Sequence, residues 1–180
     1  MHSTGFIVHV PEAEPRVDAL RARFHPVARL GVPAHVTILF PFMAPERVDA
    51  SVLQRVRDAL AGFAAFAFTL EKVGRFPATT YLAPEPAAHF IDLTKRLAAA
   101  FPEFPPFGGE FDTIIPHLTV AHGVASEADV AQTELTAAMA SGGPIQSSCD
   151  AVILIENSTG CWKPMHTFAL ARATCHSTPS

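Results

Sequence analysis

Charge is scarce in this chain, and so are patterned cysteines and long apolar runs. Only 17% of the 180 residues are Asp, Glu, Lys or Arg, and the net charge is −4 with a pI near 6.1. That balance excludes the broad phosphate-tracking surface of a duplex nucleic-acid binder, yet it leaves room for a small anion held at one point. The three cysteines, Cys149, Cys161 and Cys175, have no CxxC spacing and are odd in number, so a reducing compartment with unligated thiols is expected. No apolar stretch reaches the ~18–20 residues of a membrane span. The run MHSTGFIVHVPEAEP has no basic region followed by a long apolar one, so no signal peptide and a cytoplasmic location are expected.

What the chain does have is apolar bulk, 49% of its residues, which is enough to bury a core. The length suits a single domain over 1–180. FIVHV (6–10) reads as a strand, and Val17, Leu20 and Phe24 share one helical face between Pro15 and Pro26. HVTILF (35–40) is a second strand. Pro45 is expected to start a helix that repeats Val48, Val52, Val56 and Leu60, and FAFTLEKVG (66–74) alternates as a half-exposed strand does.

The second half repeats that order. TTYLA (79–83) is a strand, and Phe90, Leu93, Leu97 and Phe101 mark a helix from about Pro86. A Pro- and Gly-rich loop (102–116) leads into the strand HLTVAHG (117–123). Ser126 and Asp129 form a capping-box pattern for a helix to about Ala140, which SGGPIQSS breaks. AVILIE (151–156) and MHTFALA (165–171) are strands, and a tail (173–180) is expected to be flexible. The expected fold is α+β, a duplicated β-α-β-α-β unit with a pseudo-twofold axis, lobe one at about 1–75 and lobe two at about 76–172.

Each unit carries His-x-Thr in its second strand. Side chains alternate on a strand, so His35 and Thr37 project together while Val36 and Ile38 face the other way; His117 and Thr119 do the same against Leu118 and Val120. About a twofold, the two polar pairs would face one another across a cleft. Two imidazoles can serve as base and acid on opposite sides of a phosphorus atom, since either protonation state of histidine is accessible near neutral pH. The threonine hydroxyls can donate to the non-bridging oxygens. Two bland alternatives compete. A lone histidine on a strand is ordinarily a packed one, and a zinc site would need ligands that the sequence does not align: His117 and His122 fall on opposite faces, with no Asp, Glu or Cys patterned beside His35.

The paired motifs His35-Val36-Thr37-Ile38 and His117-Leu118-Thr119-Val120 resemble those of the 2H phosphoesterase superfamily, in its 2′-5′ RNA ligase / cyclic phosphodiesterase branch. The likeness extends to Phe76-Pro77, to Tyr81-Leu82-Ala83-Pro84-Glu85-Pro86, to the Pro-rich approach to the second motif and to Trp162. It implies a bilobal fold with antiparallel sheets lining a central cleft and helices outside. It also implies His35 and His117 as acid and base, Thr37 and Thr119 as phosphate ligands, and no cofactor or metal. The reaction implied is metal-independent opening of 2′,3′- or 1″,2″-cyclic phosphates, or cleavage and joining of 2′-5′ RNA linkages.

Candidates for contact with the rest of the substrate are Phe42, Arg75, Phe76, Tyr81 and Trp162, with Lys163 as a second nearby cation. An aromatic at a cleft mouth can stack a base, worth ~1–3 kcal/mol. His9, His122 and His166 also fall in strand-like runs. The expected partner is a small cyclic phosphate, a nucleotide or a short RNA end, bound by a monomer without duplex nucleic acid or membrane. A nucleotide-binding module without turnover and an ATP-independent ligase are the alternative functions; the chain has no GxxxxGK[ST] loop for ATP.

Overall fold

The computed structural model describes residues 2–110 and 113–172. In chain order these form β1 (Thr4–His9), α1 (Glu14–Phe24), β2 (His35–Leu39), α2 (Ala50–Leu60), β3 (Phe66–Phe76), β4 (Thr79–Glu85) and α3 (Ala88–Ala100). There follow β5 (Leu118–His122), α4 (Ala125–Gly142), β6 (Ile145–Cys149), β7 (Ala151–Glu156) and β8 (Lys163–Ala169). The eight strands make one sheet in the order β6-β3-β4-β5-β2-β1-β7-β8, with every neighbouring pair antiparallel.

The middle of that order explains the duplication. β5 and β2 meet at a single register point, Val36 opposite Leu118. Outward from it each side repeats: first β4 and β1, then β3 and β7, then β6 and β8. Chain halves and sheet halves do not coincide, because β3 pairs with β4 and β6, whereas β7 and β8 extend the side begun by β2 and β1. The helices are exchanged as well. α1, which links β1 to β2, packs on β5, and α3, which links β4 to β5, packs on β2. The apolar residues of both motif strands, Val36, Ile38, Leu118 and Val120, are consequently buried in one continuous core.

Three local expectations differ from the structure. Pro45 opens only a short 3-10 turn (Pro45–Arg47), and α2 begins after Asp49, whose carboxylate accepts from the backbone N–H of Ser51 and Val52 at 2.9 Å each. Ser126 does not cap α4, which has started by Ala125, and the Asp129 carboxylate is taken by Arg75 instead. The stretch after α4 is not simply a break: Ile145 and Cys149 turn inward while Gln146 and Ser148 face out, the period-two pattern of an edge strand paired with β3. The expected flexible tail (173–180), with Cys175, lies outside the described residues. No helix among the described residues is long and apolar enough to cross a membrane.

Leu118 is fully buried at the one point where the two sides of the sheet join. Leu118→Ala is expected to cost about 2–5 kcal/mol through the cavity it leaves, read as a lowered urea midpoint.

Candidate active site

Along β2 and β5 the alternation is as the sequence requires: His35, Thr37 and Thr119 are half-buried between fully buried neighbours, and His117 lies just ahead of β5 with the same exposure. Carrying the Val36–Leu118 register one residue either way sets His35 across from Thr119 and Thr37 across from His117. The histidines thus stand at diagonal corners of a four-residue patch and the threonines at the other two. Diagonal neighbours on a regular sheet lie about 7–8 Å apart, a spacing that fits one phosphate between two imidazoles.

The two rings are held in the same way. Nδ1 of His35 donates to the carbonyl of Pro33 at 2.8 Å, and Nδ1 of His117 donates to that of Ile115 at 2.7 Å. A carbonyl can only accept, so each neutral ring carries its proton on Nδ1 and presents a bare Nε2. Among the described residues neither Nε2 has a protein hydrogen-bond partner.

Their electrostatic surroundings are unequal. Burial pushes His35 down to about 4; the Pro33 hydrogen bond opposes this, while the charges of Arg21, His117 and His9 add to it. His117 is also lowered, chiefly by burial, against the Ile115 hydrogen bond and with help from His122. His25, at the end of α1, is pushed to about 4 by burial and by Arg21, His35 and His122. Arg21 is the nearby group that sequence reading missed. It lies on the apolar stripe of α1 beside Val17 and Leu20, 3% exposed, and donates to the carbonyls of Val32 at 2.8 Å and Pro33 at 2.9 Å. The Pro33 carbonyl therefore receives both Arg21 and His35.

On the other side, His117 lies at the edge of a cavity of about 310 Å³, lined by Phe76, Pro77, Ala78, Thr79, Phe107, Thr113 and Ile115. The Phe76 ring meets the imidazole edge-on at 5.3 Å, and Tyr81, in register with Thr119, lies 5.2 Å from it. Phe76 and Tyr81 are themselves 4.5 Å apart. Tyr81 lies over Gly74, its cross-strand partner, where an added Cβ would come within 2.2 Å of the ring. Phe107, another residue not foreseen, sits at φ 53° on a short turn anchored by its N–H to the Phe40 carbonyl at 2.7 Å.

The remaining candidates fall elsewhere. Phe42 is 5% exposed and packs against Phe6, Phe101 and Phe104, so it belongs to the core and not to a cleft edge. Arg75 fastens the β3–β4 hairpin to α4, donating to Ala125 O at 3.0 Å, to Asp129 Oδ1 at 2.7 Å and to the Phe76 carbonyl. Trp162 meets Phe40 edge-on at 5.9 Å, and its ring contacts neither histidine among the described residues. Lys163 pairs with Glu156 at 3.0 Å. His9 stands opposite His35 in register and contacts Glu14 at 2.9 Å. His122 bonds Thr79 Oγ1 at 2.8 Å, and His166 pairs with the buried Leu154 on the face away from His35. Among the described residues no three His, Cys, Asp or Glu side chains are grouped to hold a metal ion.

The family profile described as the 2′-5′ RNA ligase superfamily matches residues 10–160. The chain belongs to that superfamily, the 2H phosphoesterases. No curated protein matches the sequence. Among solved structures, Escherichia coli LigT complexed with 3′-AMP superposes with a TM-score of 0.63 at 18% identity, covering 94% of this chain and 98% of that one. The same protein complexed with NADP+ gives 0.55 at 19%, covering 94% and 98%, and TT0787 of Thermus thermophilus gives 0.60 at 18%, covering 96% and 100%. At such identities the likeness is one of fold, and this chain spans those proteins from end to end.

For this 2H phosphoesterase the histidine environments give measurable consequences. Because His25 and His35 have folded pKa values near 4, below the ordinary 6.5, their neutral forms contribute stability that is full above about 6.5 and lost as pH falls toward 4. The urea midpoint is expected to drop across that window, and NMR titration should place the His35 midpoint near 4. Gly74→Ala is expected to displace Tyr81 and shift the His117 ring resonance while leaving that of His35 in place.

Proposed function

We propose that this protein hydrolyses small phosphodiesters, either nucleoside 2′,3′-cyclic phosphates or short 2′-5′ linked nucleotides, by two-histidine acid–base catalysis without a metal. The observation that carries this reading is the twin ring geometry. Two imidazoles, each locked through Nδ1 to the carbonyl two residues before it, offer bare Nε2 atoms from diagonal corners of one sheet face. A phosphate bound between them has one Nε2 to accept the proton of an attacking oxygen and the other to protonate the departing oxygen. The Thr37 and Thr119 hydroxyls, at the alternate corners, donate to the non-bridging oxygens as charge builds there.

Substrate size follows from the surroundings. The cavity beside His117 has aromatic walls in Phe76 and Phe107, and Tyr81 backs the imidazole. That suits a single nucleobase stacked on a π-face, at ~1–3 kcal/mol per base. The 3′-AMP and NADP+ complexes of LigT, a protein of this fold, support a nucleotide as the class of ligand. Arg75 and Lys163 are committed to Asp129 and Glu156, which favours a short substrate over a long polyanion.

The test is a panel of nucleoside 2′,3′-cyclic phosphates, ADP-ribose 1″,2″-cyclic phosphate and 2′-5′ dinucleotides, assayed with EDTA present. Turnover of at least one class, unaffected by chelator, is expected. His35→Ala and His117→Ala are each expected to lose ~10²–10⁴-fold, and Thr37→Val or Thr119→Val ~10²-fold or more. Wild-type activity in either histidine variant would sink the reading, and ligand binding without product would make the protein a nucleotide-binding module.

A further inference from the structure

The two motif strands match on their cleft faces, but the strands beside them do not. On β1, Ile7 stands opposite Thr37 and His9 opposite His35. On β4, Tyr81 stands opposite Thr119, and carrying the Leu82–Leu118 register on by one residue sets Ala83 across from His117. One motif histidine therefore has an alanine beside it, and the other has a third imidazole. Directly opposed residues on one sheet face hold their Cβ atoms about 4.5–5.5 Å apart. The His9 ring thus shares the space in front of His35.

His9 is itself held in place. Its Nε2 lies 2.9 Å from Oε1 of Glu14, five residues further on at the start of α1, and both side chains are 34% exposed. A carboxylate only accepts, so the neutral ring carries its proton on Nε2 and leaves Nδ1 bare. Among the described residues Nδ1 has no hydrogen-bond partner.

We propose that His9 is a third catalytic residue, whose Nδ1 accepts the second proton of the attacking water and so selects water over an alcohol. The proposal rests on the hydrolytic reading of the cleft, with the nucleoside seated in the cavity beside His117. In-line displacement then leaves the opposite side of phosphorus facing His35 and His9. A water molecule there has two O–H groups for two bare nitrogens, Nε2 of His35 and Nδ1 of His9. An alcohol, such as the 5′-hydroxyl of a second nucleotide, has only one. It leaves one acceptor unmet in a half-buried site, a cost that falls on joining and not on hydrolysis. Ala83, beside His117, offers no such acceptor.

The step balances as follows. The water oxygen bonds to phosphorus as the bond from phosphorus to the nucleoside oxygen breaks. One water proton passes to the pair of motif imidazoles, and one proton is returned from that pair to the departing oxygen. The other water proton stays on the new phosphate oxygen, hydrogen-bonded to His9 during the attack. With an alcohol the only proton goes to the motif pair, and the product is a new phosphodiester.

Competition between water and methanol tests this, because both act on the same bound substrate and the product ratio does not depend on how much of a variant is active. A nucleoside 2′,3′-cyclic phosphate is turned over in dilute methanol, and the phosphomonoester and methyl phosphodiester are counted by phosphorus NMR. The wild-type protein is expected to favour water beyond the molar ratio of the two nucleophiles. His9→Leu is expected to lower that preference on the order of tenfold, the worth of one hydrogen bond. Glu14→Leu, which frees the ring, is expected to lower it about threefold. His9→Asn puts an amide oxygen close to the place of Nδ1 and is expected to restore most of the preference.

A product ratio unchanged in His9→Leu overturns the proposal, as does a fall that His9→Asn shares in full. If His9→Leu does not fold, the ratio in Glu14→Leu decides in the same way. Absence of turnover by the wild-type protein on every substrate removes the hydrolytic reading and this proposal together, whereas turnover with an unmoved ratio removes this proposal alone.

Discussion

Period-two alternation forces each motif strand to divide its side chains between a core and a cleft, and the meeting of Val36 with Leu118 joins the two cleft faces into one. A slip of one residue at that point would turn both histidines and both threonines into the core and expose four apolar side chains. The register is therefore held by burial. Val36, Ile38, Leu118 and Val120 are all at most 1% exposed, and the cost of exposing them, about 1.5–3 kcal/mol for each large side chain, exceeds anything the polar residues could recover. The site is placed by residues that take no part in its chemistry.

Exchange of elements between the two units strengthens that constraint. With α1 on β5 and α3 on β2, neither unit can bury its motif strand without the other. Arg21, near the end of α1, reaches back to the carbonyls of Val32 and Pro33 that precede His35. A buried guanidinium is costly unless its donors are met. Here two backbone carbonyls meet one of its terminal nitrogens, while Nε has no partner among the described residues and burial lowers the group's pKa. A leucine at this position would pack more cheaply. The charge is retained in a place where it bears on both His25 and His35.

Much of this was legible in the sequence, for reasons that can be stated residue by residue. His35, Thr37, His117 and Thr119 could be placed on one face because strand periodicity is strict and their neighbours are apolar. Phe76 and Tyr81 stand out in the sequence only as an aromatic near an expected cleft edge and as the chain's one tyrosine; the β3–β4 hairpin is what brings both against His117. Phe42 misled because its neighbour Phe40 is the more exposed of the two, and in a chain with 14 Phe nothing in residue type separates a rim ring from a core ring. Arg75 misled because a cation near a motif looks like a phosphate ligand until Asp129 is seen to hold it. The carbonyls of Pro33 and Ile115 were invisible, since any residue supplies a carbonyl. Arg21 did leave a trace: it interrupts the apolar stripe formed by Val17, Leu20 and Phe24 on α1.

The scarcity of charge noted at the outset bears on how such a cleft can hold an anion. Electrostatic steering by lysine and arginine gives affinity that collapses with salt and takes hold of any phosphate. In the proposed reading the groups facing the phosphate are hydroxyls and imidazoles, which would bind it by directed hydrogen bonds, and the cavity beyond His117 would add apolar contact. Recognition of this kind rewards a ligand that offers a phosphate and an aromatic ring at one fixed separation, and gives little to a longer polyanion. A cation placed in the cleft would also raise the cost of protonating whichever histidine must act as acid. Keeping Arg21 behind His35, and not between the two rings, lets its charge lower the basicity of that ring without occupying the cleft.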